Sequence, residues 1–340
     1  MYILKQLLLG AVAASVVGAA PSRHHNGNGN HQDSRQQQLL QAPQDTAIQQ
    51  PQDNSRQQQP LQPQEQIETT KYFHEPGGGL ELGHYDARFF RGEVAYDEHR
   101  TVLRHLIRSY LTTMADLHVE TWIAHGTLLG WWWNGQIMPW DYDLDVQVTM
   151  QTLHYLGKHF NRTLHTYTYR DGEEAIANSS TSDDGGSKDG HGALKKNTNN
   201  TTAPIQTKQY LLDINPYYAV PSRQDGRNVI DARWIDVSNG MFIDITSLLE
   251  QRFADSLGPA PGIWSCKNYH HYATTDLWPL RRSEFEGAPA SVPFGFDAVL
   301  RGEYGGRSMR ETVWQGHQWQ PARKAWVKIP VQEEGDAAMQ

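Results

Sequence analysis

Three aspartates, Asp141, Asp143 and Asp145, occupy alternate positions in one short stretch of the sequence. If residues 141–148 form a β-strand, side chains alternate between its two faces, so the three carboxylates share one face. Neighbouring carboxylates repel each other, and burial increases that repulsion. A hard divalent cation such as Mg²⁺ or Mn²⁺ removes the conflict, because these ions prefer carboxylate oxygens. The spacing therefore predicts a metal site, and a solvated acidic edge strand is the alternative.

A metal site needs ligands from more than one direction, so another element must supply a further carboxylate. Asp244 is the best candidate, because it alternates with Ile243 and Ile245 in a strand-like stretch. Asp236 has a similar local sequence and is the second choice, and Asp213 is the third. For each of them, a capping or turn aspartate is the alternative.

The elements around the aspartates follow from local periodicity. Residues 96–117 place apolar side chains on one stripe, which predicts an amphipathic helix. Residues 119–124 then form a short predicted strand that leads into a turn at His125-Gly126-Thr127. After the aspartates, residues 149–160 are predicted to be a helix with Thr149 as its N-cap.

Strand character returns later in the chain, at residues 209–214, 234–237 and 241–245. The last two stretches flank Ser238-Asn239-Gly240, which predicts a hairpin with an Asn-Gly turn. Thr246 is predicted to cap a short helix over residues 247–252. From Pro259 onward, the sequence predicts loops and short helices that close over the sheet.

Composition limits the classes of partner and of fold. The chain has 340 residues, a net charge of −8 and a pI near 6.0. Without a basic excess to neutralise a phosphate backbone, nucleic acid is not an expected partner. Cys266 is the single cysteine, so the chain forms no intramolecular disulfide. The roughly 260 residues after position 70 are enough for one large domain or two small ones.

The ends of the chain differ in composition from its centre. Residues 1–20 resemble a secretory signal peptide or signal anchor, with Lys5 before an apolar run. Residues 21–70 are rich in Gln and Pro and predict a disordered stem. Residues 171–204 predict a surface insertion, and residues 331–340 a polar tail. The expected location is the lumen of the secretory pathway, in the Golgi, with a membrane tether at the N-terminus if the signal is not cleaved.

Two motifs carry a resemblance to a known family. The sequence His125-Gly126-Thr127-Leu128-Leu129-Gly130, followed by Pro139-Trp140-Asp141-x-Asp143-x-Asp145, resembles the signature of the LicD family. That family includes bacterial phosphocholine transferases, fukutin-related proteins and fungal proteins of mannosylphosphate transfer. The triple tryptophan at 131–133, the hairpin sequence and the later Cys-Lys-Asn, Phe-Glu-Gly and Glu-Tyr-Gly resemble the fungal branch most.

The resemblance covers roughly residues 96–304 and implies a nucleotidyltransferase-like α/β (α+β) fold. A mixed sheet flanked by helices is expected, with a loop-rich C-terminal part, and residues 71–330 would form the catalytic domain. In this fold a Gly-[Ser/Thr] turn follows the first strand, an Asp-x-Asp lies on the second, and a third acid comes from a later strand. The corresponding residues here are Gly126-Thr127, Asp143 with Asp145, and Asp244.

Several side chains take expected roles in that site. Mg²⁺ or Mn²⁺ at Asp143, Asp145 and Asp244 would bind a donor pyrophosphate during in-line displacement. Backbone N–H groups of Gly126 and Thr127 would bind a phosphate oxygen if a helix begins just after them. Asp141 or Asp244 would accept a proton from the acceptor hydroxyl.

Three further features have both a functional and a structural interpretation. His125 would orient the turn, or it is a structural histidine. Lys267 would oppose the charge of the donor phosphates, or it is an ordinary surface lysine. The tryptophans at 131–133 would stack on a base or sugar, or pack against the core.

The function implied is a metal-dependent phosphotransferase that moves mannose phosphate from GDP-mannose onto a hydroxyl of a glycan or glycoprotein. Bacterial and animal relatives usually carry an arginine a few residues after Leu-Leu-Gly, where this chain has Trp131-Trp132-Trp133-Asn134. This departure favours a sugar-phosphate donor over CDP-choline. The alternatives are an Asp-x-Asp glycosyltransferase, which would release a nucleoside diphosphate, and a non-catalytic promoter of mannosylphosphate transfer.

Overall fold

The computed structural model describes residues 70–79, 81–170, 204–220, 226–251 and 262–330. The sequences expected to form the signal, the tail, nearly all of the stem and nearly all of the insertion lie outside these ranges. Among the described helices, none combines the length and the apolar character needed to span a bilayer.

A mixed sheet of eight strands forms the centre of the described chain. Six strands run in the order β1-β2-β6-β5-β4-β3, while β7 pairs with β6 and with β8. The strands of this sheet are β1 (Trp122–Ile123), β2 (Asp145–Thr149), β3 (Thr163–Arg170), β4 (Ile205–Ile214), β5 (Ala232–Asp236), β6 (Phe242–Glu250), β7 (Ile263–Ser265) and β8 (His271–Ala273). The expected mixed α/β architecture is confirmed.

One pairing in this sheet brings distant parts of the sequence together. Strands β2 and β6 pair in parallel, with Asp145 opposite Asp244. Strand β5 pairs with β6 antiparallel and places Arg233 opposite the same Asp244. Opposite partners project from the same face of a sheet, so these three charged side chains form a row across three strands.

Five α-helices accompany the described sheets: α1 (Tyr96–Asp116), α2 (His125–Asn134), α3 (Met150–His159), α4 (Thr274–Leu277) and α5 (Phe296–Tyr304). Helix α1 buries the predicted apolar stripe, and Tyr110 packs edge-on against Trp234 of β5 with 5.9 Å between ring centroids. Helix α3 begins after Thr149, whose hydroxyl accepts a hydrogen bond from Thr152 N at 3.1 Å. The predicted N-cap is therefore confirmed.

Two local predictions were wrong in their boundaries, and a third, the helix over residues 247–252, was wrong in its type. Strand β2 begins at Asp145, so Asp141 and Asp143 lie in the extended segment before it. Helix α2 begins at His125, so the predicted turn is its first turn. Strand β6 continues through the predicted helix, because it pairs with β2 and because Ser247 N donates to Asp231 Oδ2 at 2.8 Å. At β6, pairing with β2 overrides local propensity.

The C-terminal third contains more strand than the sequence predicts. Beyond β7 and β8, a two-stranded and a three-stranded sheet complete the part of the chain that the structure describes. Their strands are β9 (Arg281–Phe285), β10 (Ala288–Val292), β11 (Val313–Trp314), β12 (His317–Gln320) and β13 (Ala325–Lys328). Each strand has five residues or fewer, so none carries a long alternating pattern that sequence reading would detect.

Two helical glycines provide a matched test of packing around α2. A Cβ added at Gly130 would lie 2.5 Å from the backbone oxygen of Gln136, whereas one added at Gly157 would meet nothing closer than Ile214 Cγ2 at 3.7 Å. We expect Gly130→Ala to lower the free energy of unfolding by about 1–3 kcal/mol, because backbone must move. Gly157→Ala should raise the free energy of unfolding by about 0.5–1 kcal/mol, because alanine lowers the conformational entropy of the unfolded chain. Urea unfolding measures both, and equal midpoints for the two variants would contradict the packing of α2.

Candidate functional site

A cleft of about 320 Å³ opens beside the aspartates, and Asp141, Asp143 and Asp244 line it. Asp141 and Asp143 come from the segment between α2 and β2, while Asp244 comes from β6. Asp145 is buried beneath them at the start of β2, opposite Asp244 in the sheet. The structure therefore places three of the predicted aspartates in the wall of one cleft and the fourth, Asp145, opposite Asp244 in the sheet.

Arg233 is a buried cation at the wall of this cleft. Its Nε donates to Asp244 Oδ1 at 2.9 Å, and its Nη2 donates to Glu75 Oε1 at 2.7 Å. The guanidinium lies over the ring of Phe242, 3.5 Å from its centroid, and faces Phe73 at 4.7 Å. Among the described residues, its Nη1 has no hydrogen-bond partner. Arg233 therefore holds Asp244 in place and retains one donor for a ligand.

The carboxylates oppose one another electrostatically. Burial raises the pKa of Asp141 well above its usual range, and the charges of Asp143 and Asp145 raise it further. Burial, followed by the charge of Asp143, raises the pKa of Asp145 to about 7. Burial also raises the pKa of Asp244, although Arg233 acts against that rise. Ionising the whole cluster is costly unless positive charge is added.

The oxygen donors of the cluster fit a hard divalent cation, which would neutralise this repulsion. Asp143, Asp145 and Asp244 are the side chains that would hold it. Within the described ranges, however, their ligand oxygens do not all lie within 4.8 Å of one another. Asp143 and Asp244 line the cleft, and Asp145 lies opposite Asp244 in the sheet.

Mutual repulsion predicts an unusual dependence of stability on pH. The folded-state pKa of Asp145 is about 7, above the value near 4 of an unperturbed aspartate. At a pH between these two pKa values, Asp145 holds a proton in the folded chain that it has released in the unfolded chain. The free energy of unfolding of metal-free protein should therefore fall as pH rises from about 4 to about 7. Thermal unfolding with a chelator at pH 5, 6, 7 and 8 measures this, and Asp145→Asn should flatten the slope; an equal slope in both proteins would contradict it.

The start of α2 positions two of the aspartates. A Cβ added at Gly126 would lie 3.1 Å from Asp141 Oδ2, so the glycine allows this carboxylate to pack against the helix start. Thr127 Oγ1 accepts a hydrogen bond from Asp145 N at 2.9 Å. Both residues are buried beside the carboxylates. Binding of a donor phosphate by their N–H groups stays a prediction.

His125 faces a different set of partners from the aspartates in the cleft. Its Nδ1 lies 2.8 Å from Glu303 Oε2, and its ring is almost completely buried. Its φ of 51° lies in the left-handed region, which costs a residue other than glycine about 1–3 kcal/mol. Surrounding contacts must enforce this conformation, so His125 belongs to a tightly specified part of the structure.

Lys267 and the three tryptophans, which were also predicted as site residues, have partners within the fold. Lys267 is buried, where its Nζ pairs with Asp231 Oδ1 at 2.8 Å and donates to the carbonyls of Tyr217 and Asn228. Its three donors are all used, so the expectation that Lys267 binds donor phosphates gains no support. The tryptophans at 131–133 pack: Trp131 Nε1 donates to a serine hydroxyl, and Trp133 contacts the β11–β13 sheet.

The second and third choices for the fourth carboxylate have structural partners instead. Asp236 accepts a hydrogen bond from Ser238 N at 2.9 Å and pairs with Lys208 at 2.8 Å, so it caps the hairpin turn. Asp213 pairs with Arg88 at 2.6 Å. Asp244 is therefore the aspartate of the three that reaches the cleft.

Glu75, His84 and Arg233 line the cleft but were not predicted as site residues. Arg233 carried a usable signal, because it stands before Trp234 and Ile235 in a strand that is buried throughout. A charge in such a strand needs a partner, so the sequence could have indicated that Arg233 pairs with a carboxylate. Glu75 and His84 lie in irregular segments without periodicity, so no local signal pointed to them.

Comparison with known proteins agrees with the resemblance noted in the sequence. Residues 118–185 match the family described as LicD/FKTN/FKRP, nucleotidyltransferase domain. The chain is similar to Mannosyltransferase regulator 4 of Saccharomyces cerevisiae, with 29% identity over 185 residues. This match covers 52% of the chain and 13% of the relative. It is also 29% identical over 171 residues to Mannosyltransferase regulator 14 of the same yeast. That match covers 48% of the chain and 14% of the relative.

These matches confirm the predicted resemblance to the LicD family, and both relatives are fungal proteins. The matched region 118–185 contains the helix start and three of the four aspartates. The matched part of the chain spans less than a sixth of the length of either yeast relative.

Proposed function

We propose that this chain is a metal-dependent phosphotransferase that moves mannose phosphate from GDP-mannose onto a glycan hydroxyl. The observation that carries the proposal is the convergence of Asp145 and Asp244, on adjacent parallel strands, with Asp141 and Asp143 around one cleft. The family match and the names of the two yeast relatives support a role in glycan modification. Mg²⁺ or Mn²⁺ bound there would offset the charge of the donor pyrophosphate and of the departing nucleotide.

Arg233 would bind the donor in this reaction. Its Nη1 is buried without a partner among the described residues, and Arg233 lines the cleft. A guanidinium makes strong, directional hydrogen bonds to phosphate oxygens. Because Asp244 and the two phenylalanine rings fix the guanidinium, little conformational entropy would be lost on binding. Arg233 thus takes the role of phosphate partner that the sequence suggested for Lys267.

Asp141 is the better candidate for the base that accepts the proton of the acceptor hydroxyl. A general base works best when its pKa lies near the working pH. Burial raises the pKa of Asp141 well above its usual range. At Asp244, Arg233 opposes the corresponding rise and occupies one carboxylate oxygen. The remaining oxygen of Asp244 suits a metal ligand more than a base.

The partners and location follow the same proposal. GDP-mannose would be the donor and a glycan or glycoprotein the acceptor, with no role for nucleic acid. The reaction would take place in the lumen of the secretory pathway, in the Golgi, with residues 1–20 as a cleaved signal or a tether. Asn161-Arg162-Thr163 is a glycosylation sequon that suits that route, because Asn161 is exposed in the turn before β3.

Product analysis tests the proposed reaction. The full chain is incubated with GDP-mannose, Mn²⁺ and a mannan acceptor, and the released nucleotide is identified. The proposal expects GMP together with a new phosphodiester on the acceptor. Release of GDP would instead identify a glycosyltransferase. Thermal unfolding with GDP-mannose, CDP-ribitol and CDP-choline should show stabilisation by GDP-mannose above the other two donors.

A non-catalytic regulator is the second candidate function. Two observations favour it: the yeast relatives are named regulators, and the three proposed metal ligands do not close on one point. A regulator of this kind would release no nucleotide from any donor, and Mn²⁺ would not raise its unfolding temperature. Stabilisation by Mn²⁺ accompanied by nucleotide release would exclude it.

A further inference from the structure

A second group of ligand-type side chains lies apart from the aspartate cleft. One nitrogen of His125, one nitrogen of His270 and one carboxylate oxygen of Glu303 all lie within 4.8 Å of one another. The group joins the start of α2, the loop before β8 and the end of α5. All three side chains are at least nine-tenths buried, with 1%, 7% and 6% exposure. We propose that they bind a transition-metal ion of the Zn²⁺ class, at a site separate from the aspartates.

The donor set selects a different ion from the one expected in the cleft. Two imidazole nitrogens and one carboxylate oxygen suit Zn²⁺ and similar borderline ions, which take three protein ligands and keep a fourth position for water. The cleft offers carboxylate oxygens alone, which suit Mg²⁺ or Mn²⁺. The two sites would therefore be distinguished by the kind of ion each retains.

Each proposed ligand is oriented by a partner of its own. The Gln147 amide lies 3.4 Å from His125 Nε2, and Cys266 Sγ lies 3.3 Å from His270 Nδ1. The Tyr272 hydroxyl donates to Glu303 Oε1 at 2.6 Å. Metal-binding imidazoles and carboxylates characteristically have such outer contacts, which fix the orientation of the ligating atom. Here Nδ1 of His125 and Oε2 of Glu303 are the atoms that face each other.

A simple hydrogen-bonded pair explains only part of this arrangement. The 2.8 Å distance between His125 Nδ1 and Glu303 Oε2 is that of a charge-assisted hydrogen bond. It does not explain why a second imidazole, that of His270, is buried with its ring centroid 4.4 Å from the ring of His125. It also does not explain why His125 is held at a φ of 51°. A shared ion accounts for the meeting of two buried imidazoles and one carboxylate at a single point.

The site would support the aspartate cleft through the backbone. His125 begins α2, and two residues later Thr127 accepts the hydrogen bond from Asp145 N. Gln147, the partner of His125, lies two residues after Asp145 on β2. An ion held by these residues would tie the start of α2 to α5 and to the loop before β8, and the contact with Gln147 links His125 to β2. This role is one of positioning, and it does not depend on the transfer reaction.

Cobalt substitution tests the proposal without any activity measurement. Full-length protein is stripped with a chelator and loaded with Co²⁺, and elemental analysis and the visible spectrum are recorded. We expect one strongly held Co²⁺ per chain with the visible absorption of a four-coordinate ion, displaced by one equivalent of Zn²⁺. Asp143→Asn should keep this absorption, because Asp143 belongs to the aspartate cleft. Co²⁺ bound there by six oxygens would absorb almost no visible light. A wild-type chain that holds no such ion would overturn the proposal without reference to any variant.

Matched variants locate the ion. His270→Ala and Glu303→Gln should each lose the absorption, whereas His271→Ala should keep it, because His271 is the exposed neighbour in sequence. Circular dichroism confirms that each variant is folded. Absorption that survives in folded His270→Ala would contradict the assignment. A strong near-ultraviolet band that disappears in Cys266→Ser would also contradict the assignment. Such a band would show that the Cys266 thiolate is a ligand of the ion.

Discussion

Replacement of both Asp143 and Asp145 by asparagine is expected to reduce mannose phosphate transfer by about 10³-fold or more while the chain stays folded. Neutral amides retain the size of the carboxylates but bind a divalent cation poorly, and the reaction needs that charge on the departing nucleotide. The measurement is initial-rate release of GMP from GDP-mannose with Mn²⁺. Asp297→Asn is the matched control, because Asp297 is exposed on α5 and pairs with Arg301 outside the cleft.

The same double variant should be more stable than the wild type when metal is absent. Burial and mutual repulsion raise the pKa values of Asp141 and Asp145, so the ionised cluster opposes folding. Removing the charge of Asp145, which also repels Asp141, should raise the unfolding temperature in a chelator at pH 8. Addition of Mn²⁺ should then stabilise the wild type but not the variant. Unchanged transfer activity, or equal stabilisation by Mn²⁺ in both proteins, would place the metal elsewhere.

Arg233→Met is expected to lower the free energy of unfolding by about 3–5 kcal/mol. Arg233 is 3% exposed and is the shared partner of Asp244 and Glu75. Burial tends to raise the pKa of Glu75, but Arg233 and Lys71 hold it below its ordinary value. Removing the guanidinium would leave two shielded carboxylates without their main counter-charge, and methionine would retain much of the contact with Phe73 and Phe242.

Arg162→Met is the control for that experiment. The side chain of Arg162 is 70% exposed and lies 3.9 Å from Asp213, so its removal should change stability by less than about 0.5 kcal/mol. Urea unfolding at pH 7 measures both variants. Arg233→Lys should fall between them, because an ammonium keeps the charge but not the planar contacts with the rings. Equal stability of Arg233→Met and the wild type would show that the buried ion pairs make no net contribution to the free energy of unfolding.

Local sequence signals predicted the elements whose cause is local. The apolar stripe of α1, the N-cap at Thr149 and the Asn-Gly hairpin between β5 and β6 each depend on residues within a few positions of one another. Prediction was wrong where a distant partner decides the conformation. Residues 247–252 read as a helix, but pairing of β6 with β2 and the contact of Ser247 with Asp231 extend the strand.

The sequence by itself determined which residue types were available: four candidate aspartates, a glycine beside them and a spacing that resembles the LicD family. Only the tertiary structure decided their arrangement. The parallel pairing of β2 with β6 places Asp145 opposite Asp244, and β5 then adds Arg233 to the same row. His125, His270 and Glu303 meet in the same way from three distant elements. Neighbours of this kind depend on strand order and helix packing, which no local periodicity records.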